Sequence, residues 1–409
     1  MSRADTNKIK QQFESVSQSS LLDESDTSFI YYDFKILDDR IASVREAFGK
    51  SAIHTVAIKS NPLTKVLQHI TAAGMGLECA SFEEVLLAQN AGSKFIAWDS
   101  PAKSRKEMLA SNEVDGLMIN ADSLRELEML LALNQTAKIA LRVNPEIDTG
   151  AHTSMNVSGA RSKFGEPISH RSQIANAVHS ANGRVSGIHV HTSSQTADFY
   201  KMVTAVRKAI DLALEINQHR PNTIRTIDIG GGFPAEYKEG DAFSISSYSS
   251  ALTSACPELF DGTFDLVTEF GRYYHANAGW TATKVHDVKR VEGHQVLIVH
   301  VGADLFLREA YNPGVWHHDM ITLSSSQANT VKSDVGGPLC FGGDYIAKNI
   351  DLPEVEPGSW LIIRDTGANS FSLWSRHCSR AFPKVIALND DLMILRDRDS
   401  FEDILNFWS

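Results

Sequence analysis

Lys59 ends the apolar run Thr55-Val-Ala-Ile, and Ser60-Asn61-Pro62 closes that run at once. An amine at the mouth of a buried strand faces a low-dielectric space. Desolvation there lowers its pKa and frees it for covalent chemistry. Taken alone, such a lysine is more often a surface residue in a turn. Three later segments change its meaning: GIHVHTSSQ (187–195), DIGGGFP (228–234) and EFGR (269–272).

DIGGGFP sets three glycines directly behind a predicted strand. Without Cβ atoms the backbone can approach a phosphate and aim several N–H groups at it. Gly271 and Arg272 follow another predicted strand and add a charged donor, and Ser193 and Ser194 add hydroxyls. A tight turn explains a glycine run equally well, but three polar loops on one rim do not reduce to turns. The string is neither GxGxxG nor GK[ST], so neither a dinucleotide fold nor a P-loop is implied. Glu269, at a strand end, suits the nitrogen of a pyridine ring, whose protonation makes the ring an electron sink. An ion pair with Arg272 is the competing use of that carboxylate. His191 is placed to stack on the ring, or serves as a satisfied structural group. An amine, an anion loop and a buried carboxylate together describe a pocket for pyridoxal phosphate held as a Schiff base on Lys59.

These residues need strand ends to present them. Eight strands are predicted between Ile53 and Glu269: Thr55–Lys59, Gly76–Cys79, Lys94–Trp98, Gly116–Ile119, Ile139–Val143, Gly187–His191, Thr226–Ile229 and Asp265–Glu269. Helical patterns lie between them. Ser81 followed by Glu84 has the form of a capping box, Asp122 reads as a cap for the next helix, and Ala197–His219 is the longest helical pattern. Alternating strand and helix implies a parallel sheet, and eight repeats favour a closed (β/α)8 barrel over an open doubly wound sheet. Lys59, Glu78, His191, Gly230 and Glu269 then fall on the C-terminal rim, where such barrels build their chemistry. Beyond about Ala282 the pattern turns to strands: Val285–Val291, Gln295–Val301, Trp360–Asp365, Lys384–Leu388 and Asp391–Arg396, with a helical pattern at Phe401–Trp408. The strand-like Phe29–Phe34 is expected to join them. The predicted organisation is an N-terminal segment 1–40, a barrel 41–282 and a β-rich domain 283–409 that takes in both chain ends.

A chain of 409 residues accommodates a barrel and a smaller domain. A net charge of −11 argues against nucleic acid or an anionic membrane as partner. Cys79, Cys256, Cys340 and Cys378 form no CxxC pair or metal-type spacing, so neither a disulfide framework nor a zinc site is expected, and reduced thiols fit a cytoplasmic protein. No stretch of about 18 apolar residues offers a membrane span. The first 20 or so residues, polar with no apolar signal core, are expected to be mobile, and Ser324–Ser326 is expected to be a short polar connection.

The ordered strings AIKSNP (57–62), GLECASFEEV (76–85), RVNPEID (142–148), AHT…KFG (151–165), GIHVHTSSQ, DIGGGFP, EFGRYYHANAG (269–279), GPLCFGGD (337–344) and DTGANSFS (365–372) run through about residues 54–383. As a set they resemble the fold type III PLP-dependent decarboxylases that act on ornithine, diaminopimelate and arginine. AHT…KFG and HVHTSSQ are nearest the diaminopimelate branch. The resemblance implies a PLP-binding barrel with a β-rich domain formed by both chain ends. Lys59 matches the Schiff-base lysine, His191 the ring-stacking histidine, Glu269 the pyridinium partner, and Glu78 an acid near the lysine. Ser194, Gly231, Gly232, Gly271 and Arg272 fall where the family grips the phosphate. Cys340 matches the cysteine that protonates the carbanion in the partner subunit's site, so a homodimer with shared sites is implied. By itself a lone cysteine is usually core packing.

Several positions depart from the pattern. The family carries Asp or Glu after the cysteine, to bind the distal end of the substrate; here the residue is Phe341. The family tyrosine near the phosphate is Asn369, and HCSR (377–380) replaces the usual Tyr-Asn pair. Arg308 resembles the arginine that contacts a substrate carboxylate, but Glu309 follows it where proline is usual. With Arg308, Arg376 and His377 nearby, the pocket is expected to take an acidic or bulky acyl substrate, such as a citryl-linked amino acid of siderophore synthesis. Decarboxylation of meso-diaminopimelate is the alternative. A racemase on a related barrel and a PLP-free binding homologue are further readings. The presence of Lys59, His191, Glu269, Arg272 and Cys340 argues against the binding homologue.

Overall fold

A computed structural model describes residues 4–148, 155–196, 198–238, 240–323 and 329–409. It divides into two compact units. One comprises Arg40–Ala235 and Phe243–Tyr274; the other comprises Met1–Asp39, Glu236–Ala242 and His275–Ser409.

The first unit is the barrel. Its parallel strands are Ile53–Ala57, Gly76–Cys79, Ile96–Asp99, Leu117–Ala121, Lys138–Asn144, Val185–Val190, Thr226–Asp228 and Asp265–Phe270. Leu117–Ala121 pairs with Lys138–Asn144, and Asp265–Phe270 pairs with Ile53–Ala57, so the ring closes. All eight predicted strands are present, each within a few residues of its expected bounds. They are recognisable because both faces of each strand are buried, which leaves short, nearly continuous apolar runs.

Helix starts follow local chemistry, with two differences from expectation. The Ser81 hydroxyl accepts from the Glu84 N–H at 3.2 Å, but the Glu84 carboxylate reaches back to the Ala80 N–H at 2.6 Å rather than to Ser81. The helix Leu124–Ala132 is capped by Ser123, not Asp122. Asp122 instead accepts from the Gly165 N–H at 3.1 Å and lies 3.7 Å from Arg142, a tertiary use that outcompetes local capping. The helix Phe199–His219 matches the longest predicted helical pattern.

The second unit is a mixed sheet. Ser28–Asp33 pairs antiparallel with Gly279–Val291 and parallel with Lys384–Asn389, so both chain ends build one sheet. Met320–Leu323, Thr330–Gly336 and Tyr345–Pro353 are strands that the pattern did not reveal. Few of their side chains are buried, so no apolar alternation marks them. The N-terminus differs from expectation. Thr6–Ser17 is a helix, N-capped by Asp5, whose Ile9, Phe13 and Val16 pack on Phe29, Tyr31, Trp280 and Ile362. Burying each such side chain contributes about 1.5–3 kcal/mol, which outweighs the polar composition around them. Ser324–Ser326 lies outside the described residues. No helix among the described residues is long and apolar enough to cross a membrane.

Candidate active site

Lys59 leaves the strand Ile53–Ala57 through one 3-10 turn, Ile58–Ser60. Its Nζ lies 2.8 and 2.7 Å from the two carboxylate oxygens of Glu78 on the neighbouring strand. Glu78 is fully buried, whereas the Lys59 side chain is 49% accessible. Burial pulls the amine down, but Glu78, with Glu269 and Asp99 behind it, outweighs burial and holds the Lys59 pKa above its ordinary value. This corrects the expected depressed amine: a touching carboxylate outcompetes desolvation for a half-accessible cation. Burial opposes the charge on Glu78 and pushes its carboxyl above the usual range, while Lys59 pulls it back down.

His191 is the first residue past Val185–Val190. The Gly231 N–H donates to its Nδ1 at 3.0 Å, so the ring hydrogen sits on Nε2. Burial, then Arg142 and Lys59, lowers the His191 pKa to about 3 and keeps the ring neutral. Gly230 and Gly232 have φ of +67° and +98°. A Cβ on Gly231 would strike the Glu269 carbonyl oxygen, and one on Gly232 the Ser193 carbonyl oxygen. A Cβ on Gly271 would come within 2.9 Å of Ala57 Cβ. Beside this backbone cradle, Arg272 Nη2 donates to Ser194 Oγ at 3.2 Å.

Glu269 is 5% exposed and lies 3.2 Å from His189 Nε2, and Asn120 Nδ2 donates to it at 3.5 Å. Burial raises its pKa, but His189 outweighs burial and holds the carboxyl below its usual range. Asp228, near enough that single ligand atoms of His189, Asp228 and Glu269 fall within 4.8 Å of one another, is pushed well above its usual range by burial and by Glu269. Two carboxyls this close do not both ionise, so Glu269 keeps the charge and Asp228 the proton. Behind them Arg142 Nη1 pairs with Asp99 at 2.7 Å, and Asp99 lies 3.8 Å from His189 Nδ1. Burial opposes the charge on Asp99, but Arg142 overrides it and holds the carboxyl low.

Sequence reasoning did not single out Asp99, Asn120, Arg142, His189 or Asp228 for the site. Each is a polar residue in the C-terminal half of a barrel strand, as in IAWD and LMIN. A charge there is too costly to bury without partners, and that is the available signal.

The remaining predicted residues belong to the β-rich unit. Cys340 is exposed in the loop between Gly336 and Tyr345. Asp344 holds that loop: its carboxylate accepts from Leu339 N–H at 2.6 Å and Ala303 N–H at 2.5 Å. Phe341 stacks on Tyr311, centroids 5.7 Å apart, and meets the His377 ring edge-on at 6.4 Å. Arg308 lies over Trp316 at 3.8 Å. Arg376 lies over Trp374 and Phe407 and is 3.3 Å from Asp399. Asn369 is half-buried with a φ of +53°. The AHT portion of AHT…KFG lies outside the described residues.

Residues 35–276 match the family model described as pyridoxal-dependent decarboxylase, pyridoxal binding domain. The chain belongs to the pyridoxal-dependent decarboxylases. This decarboxylase is 31% identical over 382 residues to the diaminopimelate decarboxylase of Deinococcus radiodurans, covering 92% of this chain and 94% of that one. It is 28% identical over 402 residues to that of Aquifex aeolicus, covering 96% and 94%. A Helicobacter pylori diaminopimelate decarboxylase, solved with L-lysine, superposes with a TM-score of 0.87 at 25% identity, over 97% of this chain and 99% of the other. The cofactor is pyridoxal phosphate and the reaction is decarboxylation of an amino acid. The barrel rim fits that cofactor. The glycine cradle with Ser194 and Arg272 suits the phosphate, the charged buried Glu269 suits a pyridinium nitrogen, and Lys59 offers the amine.

Proposed function

We propose that this decarboxylase acts on meso-diaminopimelate, releasing CO2 and lysine, with pyridoxal phosphate held by Lys59. End-to-end similarity to diaminopimelate decarboxylases carries the reading. When bound, the cofactor supplies an electron sink for the pair left when carboxylate departs as CO2. The chain's residues do the rest. Glu269, kept ionised by His189, would hold a proton on the ring nitrogen. His191, neutral and fixed by the Gly231 N–H, offers an apolar face to the ring. Glu78 keeps the Lys59 amine oriented and can accept its proton. Gly231, Gly232, Gly271, Ser194 and Arg272 anchor the phosphate, with Asn369 in place of the family tyrosine. Cys340, contributed by a second copy of the chain in a homodimer, would supply the proton that takes the place of the departing carboxylate.

A citryl-linked amino acid is a second reading, favoured by Phe341 where the family places a carboxylate. Arg308 and His377 are its candidate contacts. Arg376 is a weaker anchor, because Asp399 already neutralises it. A substrate panel tests both readings: CO2 release from meso-diaminopimelate, lysine, ornithine and a citryl-linked diamino acid. The first reading expects the highest kcat/KM for meso-diaminopimelate with lysine as product. Turnover of the citryl conjugate alone would overturn it.

A further inference from the structure

The barrel has a second opening to solvent at the N-terminal ends of its strands, the end away from Lys59. A cavity of about 370 Å³ lies there, lined by Arg45, Lys50, His54 and Lys94 among others. That volume is within the range of small-ligand sites. No Asp or Glu is among the lining residues, although the whole chain carries −11. The cavity therefore collects cationic side chains on a protein whose overall field is negative.

His54 supplies an independent observation. It is 6% exposed, the second residue of Ile53–Ala57. Its Nδ1 lies 2.9 Å from Thr268 Oγ1, while Nε2 is buried with no hydrogen-bond partner among the described residues. A buried ring nitrogen without a partner is costly, and a ligand atom would relieve that cost. Burial, then Arg45, lowers the His54 pKa to about 4, so the ring is neutral. Nε2 is the hydrogen-bond donor in the tautomer in which the Thr268 hydroxyl donates to Nδ1. Arg45 is held in place by the Ala73 carbonyl, to which Nη2 donates. Lys50 and Lys94 are exposed and free to close on a ligand.

We propose that this cavity binds a compact polyanion, a phosphate or a polycarboxylate, gripped by Arg45, Lys50 and Lys94 with the His54 ring as hydrogen-bond donor. Convergent cations and one fixed neutral donor select multiple negative charge over a zwitterion. The test uses the cofactor-loaded enzyme, so that the phosphate cradle on the other rim is filled. Inorganic phosphate and citrate are titrated separately by calorimetry at constant ionic strength, which distinguishes the two sources. The expected result is saturable binding of at least one, at one site per chain. A Lys50→Glu, Lys94→Glu double variant should weaken that binding at least about tenfold, or about 1.4 kcal/mol, with decarboxylation unchanged. Both positions are exposed, so the variant is expected to fold, and His54→Phe provides an independent second loss of binding. Absence of saturable binding by either anion up to about 10 mM, or unchanged affinity in the double variant, would overturn the proposal.

Discussion

On the barrel rim, polar side chains arrive from several parallel strand ends and hold one another: Arg142 holds Asp99, His189 holds Glu269, and Glu78 holds Lys59. Around Cys340 the structure is a single loop, fastened by the Asp344 carboxylate, with Cys340 exposed and Phe341 half-buried against Tyr311. The rim is a closed network in which each charge is the partner of another, so little can change without a large cost. The loop separates its fastening from its display. Asp344 carries the geometry, and the Phe341 ring takes no part in that fastening. The two regions therefore differ in their tolerance to change.

The largest effect expected from breaking the rim is at Lys59. Lys59→Ala should abolish covalent cofactor attachment and lower kcat by at least about 10³-fold. Borohydride reduction and peptide mapping of the wild type should place the cofactor on Lys59; label on another lysine would refute the assignment. Glu269→Gln keeps the shape of the rim but removes the charge, and kcat should fall about 10²–10³-fold with cofactor still bound, read by absorbance and single-turnover kinetics. A mixture of Lys59→Ala and Cys340→Ala chains tests whether rim and loop meet across two copies. After subunit exchange about a quarter of wild-type activity should return, since half of the dimers carry one intact site. No return, with exchange demonstrated, would place both residues in one chain's site.

The loop should respond more gently. Phe341→Glu should raise kcat/KM for lysine and ornithine by about 10-fold or more, because a buried cation gains a charged partner. No change would remove Phe341 from substrate selection. The smallest effect sharpens the comparison through pH. Burial lowers the pKa of His191 to about 3 and of His54 to about 4 in the barrel, and of His275, hydrogen-bonded to Tyr32, to about 3 in the β-rich unit. Each folded pKa lies below the unfolded value of about 6.5. The unfolded chain then binds more protons between those limits, so stability is intact above about pH 6.5 and falls as pH drops toward 3. The melting temperature of the cofactor-free protein should decline over that window. His275→Phe should flatten the decline, and an unchanged profile would show that the histidine is not the source.

Much of this was legible in the sequence, for a physical reason. Strands buried on both faces must be apolar and short, and a phosphate-facing backbone must lack Cβ atoms. The eight strands, the glycine cradle, and the rim placement of Lys59, Glu78, His191 and Glu269 therefore follow from residue types alone. The family strings added what spacing alone leaves open, an expected role for Cys340. Tertiary structure decided the rest. The Lys59 amine is held charged rather than depressed, because Glu78 comes from another strand and outweighs burial. Asp122 serves Gly165 and Arg142 instead of capping its helix. The N-terminal segment is a packed helix, because its three apolar residues meet a sheet that joins the nearby strand Ser28–Asp33 to strands hundreds of residues away. Asp99, Arg142, His189 and Asp228 become one network only when the barrel closes. Pairwise electrostatics depends on distances across strands, and chain order does not record those distances.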